Sequence, residues 1–278
     1  MRDHPSSARA RILLAEIDLR GGRDPVELLA RVEPFADEPT LNPRERFRAA
    51  SLAAWIQMAR GEFLESQRRF REALAFDGES RELQEGLVRA LVGAVDRSTP
   101  TDARAMSEEA LAILNVMIGN AEPGDDLSEL EILIAQSEFA RGRAILDGPP
   151  GDDEERQIGR ESVQAALARL RRLSESEATA PEIRRRSRVV AGGIQLYRGN
   201  FQAAENHFRA ALGTRADSEA KLGLLAALIG GFEIANGSAE EARELIRELE
   251  SSSEPDPRLA DLRIRFDRLT QPPPSPPR

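Results

Sequence analysis

AGGIQLYRGNFQAAENHFRAAL, residues 191–212, reads as two short helical patterns broken at Arg198-Gly199. In the second pattern Ala204, Phe208 and Ala211 recur at steps of four and three, one stripe of a helix. Small residues at that spacing let two helices approach closely, and the phenylalanine fills the space they leave. The same text stands earlier in the chain. Ile56-Gln57-Met58-Ala59-Arg60-Gly61-Glu62-Phe63 repeats the pattern of residues 194–201, and Phe70, Ala73 and Leu74 repeat Phe208, Ala211 and Leu212. The chain is therefore built of repeats.

The other punctuation agrees. Arg-Gly pairs at Arg20-Gly21, Arg60-Gly61, Arg141-Gly142 and Arg198-Gly199, with Asn236-Gly237 as a fifth turn, fall at intervals of about 40 residues or a multiple of it. One turn is missing from the series, and its place is near Asp96-Arg97-Ser98. The lengthened interval before Gly199 is assigned to an insertion at Gly148-Pro149-Pro150-Gly151. Asp24-Pro25, Asn42-Pro43 and Thr99-Pro100 combine a capping side chain with proline at the first helical position, and Ser238 stands three residues before Glu241 in capping-box spacing. Residues 152–174 form a long second helix in the fourth pair, and residues 257–269 a final helix that caps the last one. The proline-rich residues 271–278 cannot be helical and are expected to be disordered. The expected fold is all-α: about six helix-turn-helix pairs over residues 1–270 in a right-handed solenoid. No stretch has the alternation of a strand.

The 278 residues carry a net charge of −9, which argues against a dedicated binder of nucleic-acid backbone. There is no cysteine, so disulfides, thiol catalysis and thiolate metal sites are excluded. The first residues have no apolar signal core and no later run is long enough to span a bilayer, so a cytoplasmic protein without membrane insertion is expected.

The stripe and the small residues resemble those of the tetratricopeptide repeat family. Gly192, Ala204, Phe208 and Ala211 match its pattern, as do Ala54, Phe70 and Ala73, with Ser66 where the family favours alanine. The large aromatic and the tyrosine of the family's first helix are replaced by Ala50 and Gln57, and by Arg188 and Gln195. The match covers residues 44–78 and 182–251. The resemblance implies a right-handed superhelix whose first helices line a concave groove for a peptide or a partner protein. Carrying over the family's groove-facing positions gives Arg48, Ser51, Trp55 and Met58 in one unit, and Arg186, Val189 and Tyr197 in the other. Trp55 and Tyr197 are the only Trp and Tyr of the chain, and aromatics and arginine dominate binding energy at interfaces. The positions at which some members hold a C-terminal carboxylate are here largely Ala, Ser, Val, Gly and Trp, so that subtype is not expected.

Other constellations have simpler accounts. His4 and His207 have no partner in sequence that would make either a base. Asp125-Asp126 and Asp152-Asp153-Glu154-Glu155 stand at helix starts, where carboxylates favour the positive end of the dipole, and they lack calcium-loop spacing. Gly192-Gly193 and Gly230-Gly231 lie inside helical patterns without the Lys-Ser/Thr of a phosphate loop. The basic run Arg184-Arg185-Arg186-Ser187-Arg188 is read as a solvated face paired with Glu175, Glu177 and Glu182, the alternative being a patch, with Arg169, Arg171 and Arg172, for an acidic peptide or nucleic acid. No catalytic residue, cofactor or metal is expected. The expected role is a scaffold or adaptor for a protein or peptide; the alternative is a regulatory or sensory domain of a larger signalling or transcription-regulating protein.

Overall fold

A computed structural model describes residues 5–21, 23–149, 151–213, 217–233, 238–251 and 256–270. They form helix pairs: α1 (Pro5–Arg20) with α2 (Pro25–Ala36), α3 (Pro43–Ala59) with α4 (Phe63–Leu74), and α5 (Arg81–Ala94) with α6 (Pro100–Gly119). Next come α7 (Ser128–Asp147) with α8 (Asp153–Glu175), α9 (Pro181–Tyr197) with α10 (Phe201–Leu212), and α11 (Ser218–Glu233) with α12 (Ala239–Glu250). The last helix is α13 (Pro257–Thr270). No strand occurs among the described residues. The chain divides into two compact units, Met1–Ser162 and Val163–Arg278.

The helix starts follow the sequence. The carboxylate of Asp24 accepts from the Val26 N–H at 2.9 Å, and the Asn42 side chain accepts from the Arg44 N–H at 2.8 Å. Thr99 Oγ1 accepts from the Asp102 N–H and Ser238 Oγ from the Glu241 N–H, at 3.2 and 3.3 Å. Each bond satisfies one of the orphan N–H groups of a first helical turn. Asp126 and Asp152 serve in the same way, accepting from the N–H groups of Ser128 and Glu155.

The two repeated turns close alike. Gly61 and Gly199 take φ of 72° and 71°, the left-handed region open to glycine. Gly61 N donates to Met58 O and Glu62 N to Gln57 O; Gly199 N donates to Leu196 O and Asn200 N to Gln195 O. This is the Schellman closure at both sites. The turn expected at Arg141-Gly142 does not exist. Gly142 is buried inside α7, and that helix runs on to Asp147, so the fourth pair turns after Gly148 instead. The missing turn near Asp96 is a short 3-10 segment, Val95–Arg97. Asn236-Gly237, His4 and the tail at 271–278 lie outside the described residues.

Packing between pairs repeats a single device. Phe63 and Phe70 on α4 lie against Gly93 and Gly86 on α5, where an added Cβ would come within 2.6 and 2.5 Å of the rings. Phe201 and Phe208 on α10 lie in the same way against Gly230 and Gly223 on α11, where the distances would be 2.2 Å at both. In each case two phenylalanines seven positions apart, two helical turns, meet two glycines seven apart on the next helix. Phe208 also meets Gly192 on α9. The core of the second unit joins Phe208, Leu225 and Leu245 to Leu259 and Phe266 of α13, which caps it as expected. Ser66, standing in place of the family's alanine, is fully buried and donates its hydroxyl to Ala54 O at 2.9 Å, joining α4 to α3.

One charged residue is part of this framework. The Arg69 side chain is 1% exposed and donates to both carboxylate oxygens of Asp37, at 2.6 and 2.7 Å, and to Glu72 at 3.0 Å. It ties the end of α2 to α4. The hydrogen bond from Arg69 holds the Asp37 carboxyl below the ordinary carboxylate range. A carboxylate depressed in the folded state contributes stability that is complete above its unfolded pKa, about 3.9, and lost as pH falls through the folded value. The melting temperature of Asp37→Asn should therefore lie below that of the wild type at neutral pH and converge on it as pH falls through the depressed pKa of the folded carboxyl. A gap that does not change with pH would rule the clamp out as its source.

Candidate functional site

On α3, Arg48, Ser51 and Trp55 recur at steps of three and four and so share one stripe. The structure brings these three expected residues to the wall of one cavity in the first unit, with a volume of about 430 Å³. Phe47 and Leu52 complete the α3 wall, α1 contributes Glu16 and Leu19, and the start of α5 contributes Ser80, Glu82 and Leu83. The cavity is thus walled by the first helices of three successive pairs.

The repeat core fixes the aromatic wall. The Trp55 ring stands edge-on to Phe70, with centroids 5.0 Å apart and planes at 84°, and Phe70 is itself held against Gly86 of α5. Trp55 is half-buried: its ring packs against Phe70 and also lines the cavity. Phe47 packs edge-on to Phe76 at 6.4 Å, and the Arg46 guanidinium lies 5.7 Å above the Phe76 ring. Ser51 donates its hydroxyl to Phe47 O at 2.8 Å, so toward the cavity it offers only an acceptor. Glu16, Arg48 and Glu82 make no ion pair or side-chain hydrogen bond among the described residues.

The remaining expected groove residues fare differently. Met58, one turn beyond Trp55, is half-buried against the core of the first unit and is not part of the cavity wall. Arg186, Val189 and Tyr197 lie on α9 in the second unit, where Arg186 is half-buried and Tyr197 exposed. Val189 is 7% exposed, in the core that holds Phe208 and Leu225. It packs, and the groove role expected of it is replaced by a core role. Glu16, Leu19, Phe47, Ser80, Glu82 and Leu83 escaped the sequence reading. Only the second and fifth pairs match the repeat pattern closely, so no groove position was carried to α1 or α5.

The basic run is largely committed within the second unit. Arg185 bonds Glu182 and also pairs with Asp217, while Arg188 donates to the carbonyls of Ala210 and Ser174. Glu175 pairs with Arg171 at 2.8 Å. His207 is half-buried, and burial together with the nearby Arg188 holds its imidazole below the ordinary pKa. Among the described residues no helix is long and apolar enough to cross a membrane.

No protein-family model matches this chain, and no curated protein matches it. Solved structures do. The apo form of the quorum sensor NprR from B. thuringiensis aligns with a TM-score of 0.62 at 11% identity, over 98% of this chain and 73% of that one. NprR in complex with its cognate peptide NprX aligns with a TM-score of 0.58 at 13% identity, over 96% of this chain and 72% of that one. At such identities the likeness is one of fold, and the fold is a tetratricopeptide-like helical repeat.

Proposed function

We propose that this chain is a non-enzymatic interaction module, a member of the tetratricopeptide repeat class, that seats a peptide or a segment of a partner protein in the cavity walled by α1, α3 and α5. The observation that carries the reading is the convergence of Trp55, Phe47 and Arg48 on a concave site, with charged groups that have no partner among the described residues around a packed aromatic. Concave sites with a few convergent polar groups and a fixed aromatic are the form that binding sites take. The structural likeness adds support, since one of the matching structures holds a protein with its cognate peptide. The same likeness, to a protein described as a quorum sensor, favours a second reading in which the module regulates a larger signalling or transcription-regulating protein when its peptide is bound.

Trp55 is the only Trp of the chain, so its fluorescence reports the cavity alone. Iodide should quench it partially in the free protein and less once a peptide is seated. Trp55→Ala should weaken peptide binding by about 2 kcal/mol or more. Because its ring packs against Phe70, the substitution will also lower the melting temperature, so affinity is to be measured where circular dichroism shows the variant fully folded. Unchanged affinity in the folded variant would place the seat elsewhere.

A further inference from the structure

The charges of the cavity carry an inference that rests on reading it as a peptide seat. Over much of the surface arginine and carboxylate neutralise each other: Arg71 meets Glu109 at 2.8 Å and Arg89 meets Glu85 at 2.6 Å. In the second unit, the depression at α10, α11 and α12 is lined by the ion pairs Arg209–Glu241 and Lys221–Glu248, each at 2.7 Å, beside Glu244, which pairs with no described residue. The cavity at α3 is different. Glu16 on α1 and Glu82 on α5 border the α3 stripe with no cation among the described residues on either, and Arg48 on the stripe has no carboxylate among them.

We propose that the seat takes a linear segment in which an apolar side chain is flanked by lysine or arginine. The apolar side chain enters among Leu19, Phe47, Trp55 and Leu83, and the flanking cations meet Glu16 and Glu82. Two carboxylates outweigh one guanidinium at the site, and the chain's net charge of −9 has the same sign, so both contact and long-range attraction select a basic segment. Arg48 is left to the carbonyl groups of the segment, which accept its N–H groups without needing a charge.

The test is selection of a phage-displayed library of random peptides on the full chain, followed by titration of the selected peptides against Trp55 fluorescence. The expected result is enrichment of Lys and Arg beside apolar residues, with affinity that falls as salt rises. Glu16→Gln and Glu82→Gln together should lower that affinity about tenfold and flatten its salt dependence. Arg48→Gln should cost less than the double substitution. Selected peptides that are acidic or uncharged but still lost in Trp55→Ala would overturn the basic segment and leave the peptide seat standing, as would a larger loss from Arg48→Gln than from the two glutamines. Failure to select any peptide, or selection of peptides indifferent to Trp55→Ala, would overturn both. Self-association of the free protein that Trp55→Ala abolishes would put a second copy on the cavity and overturn the basic segment as its occupant.

Discussion

Phe208→Ala will lower the stability of the unit that contains it by about 3–5 kcal/mol, read as a shift of the urea midpoint at unchanged slope. The ring is 2% exposed and stands between two backbones, with Gly192 of α9 on one side and Gly223 of α11 on the other. Truncation to alanine empties the space between them. Neither helix has a side chain at those positions to refill it, so the cavity term adds to the lost burial of the ring. His207→Ala, one residue earlier, is the control. His207 is half-buried, and its lowered pKa keeps it neutral at pH 7, so the substitution should change stability by less than about 0.5 kcal/mol. Equal or reversed costs would show that the Ala204–Phe208–Ala211 stripe does not face the core.

That stripe was legible in the sequence because helix periodicity is a local property: four residues of one helix report which face is apolar. The caps were legible for the same reason, since Asp24, Asn42, Thr99 and Ser238 each bond to an N–H two or three residues ahead. Arg141-Gly142 misled because glycine marks a turn only where the chain needs a left-handed residue. Gly61 and Gly199 take positive φ, whereas Gly142 is a buried residue inside α7. The pairing of Phe63 and Phe70 with Gly93 and Gly86 was written in the text as two matching seven-residue intervals, yet nothing within either helix says that they meet. The cavity was legible only along α3. Glu16 and Glu82 look like ordinary surface acids in sequence, and what distinguishes them, a place on the cavity wall with no partner among the described residues, is a tertiary fact. Val189 was misplaced because its burial depends on its neighbours in the second unit, where it joins the core with Phe208 and Leu225, and that is a tertiary fact.

Adjacent glycines supply the other large effect, and it differs in sign between them. Gly192→Ala should destabilise the protein by about 1–3 kcal/mol, whereas Gly193→Ala should stabilise it by about 0.5–1 kcal/mol. Both residues lie within α9, where alanine is the better helix former, so propensity alone would favour both substitutions. A Cβ at Gly192 would stand 2.8–2.9 Å from three atoms of the Phe208 ring. The ring cannot retreat, because Gly223 already lies against its opposite side, closer still. At Gly193 an added Cβ meets nothing within 4 Å, and only the helix-propensity gain remains. Thermal melts of the two single variants decide the sign. The cause is decided by repeating Gly192→Ala in the Phe208→Ala background. With the ring gone the new methyl has room, so the penalty should vanish or reverse, a coupling of at least 1 kcal/mol or so between residues in contact. A penalty that persists without the ring would mean that the α9 backbone is held by something other than Phe208, and the phenylalanine–glycine contact would lose its standing as the element that sets the spacing of these helices.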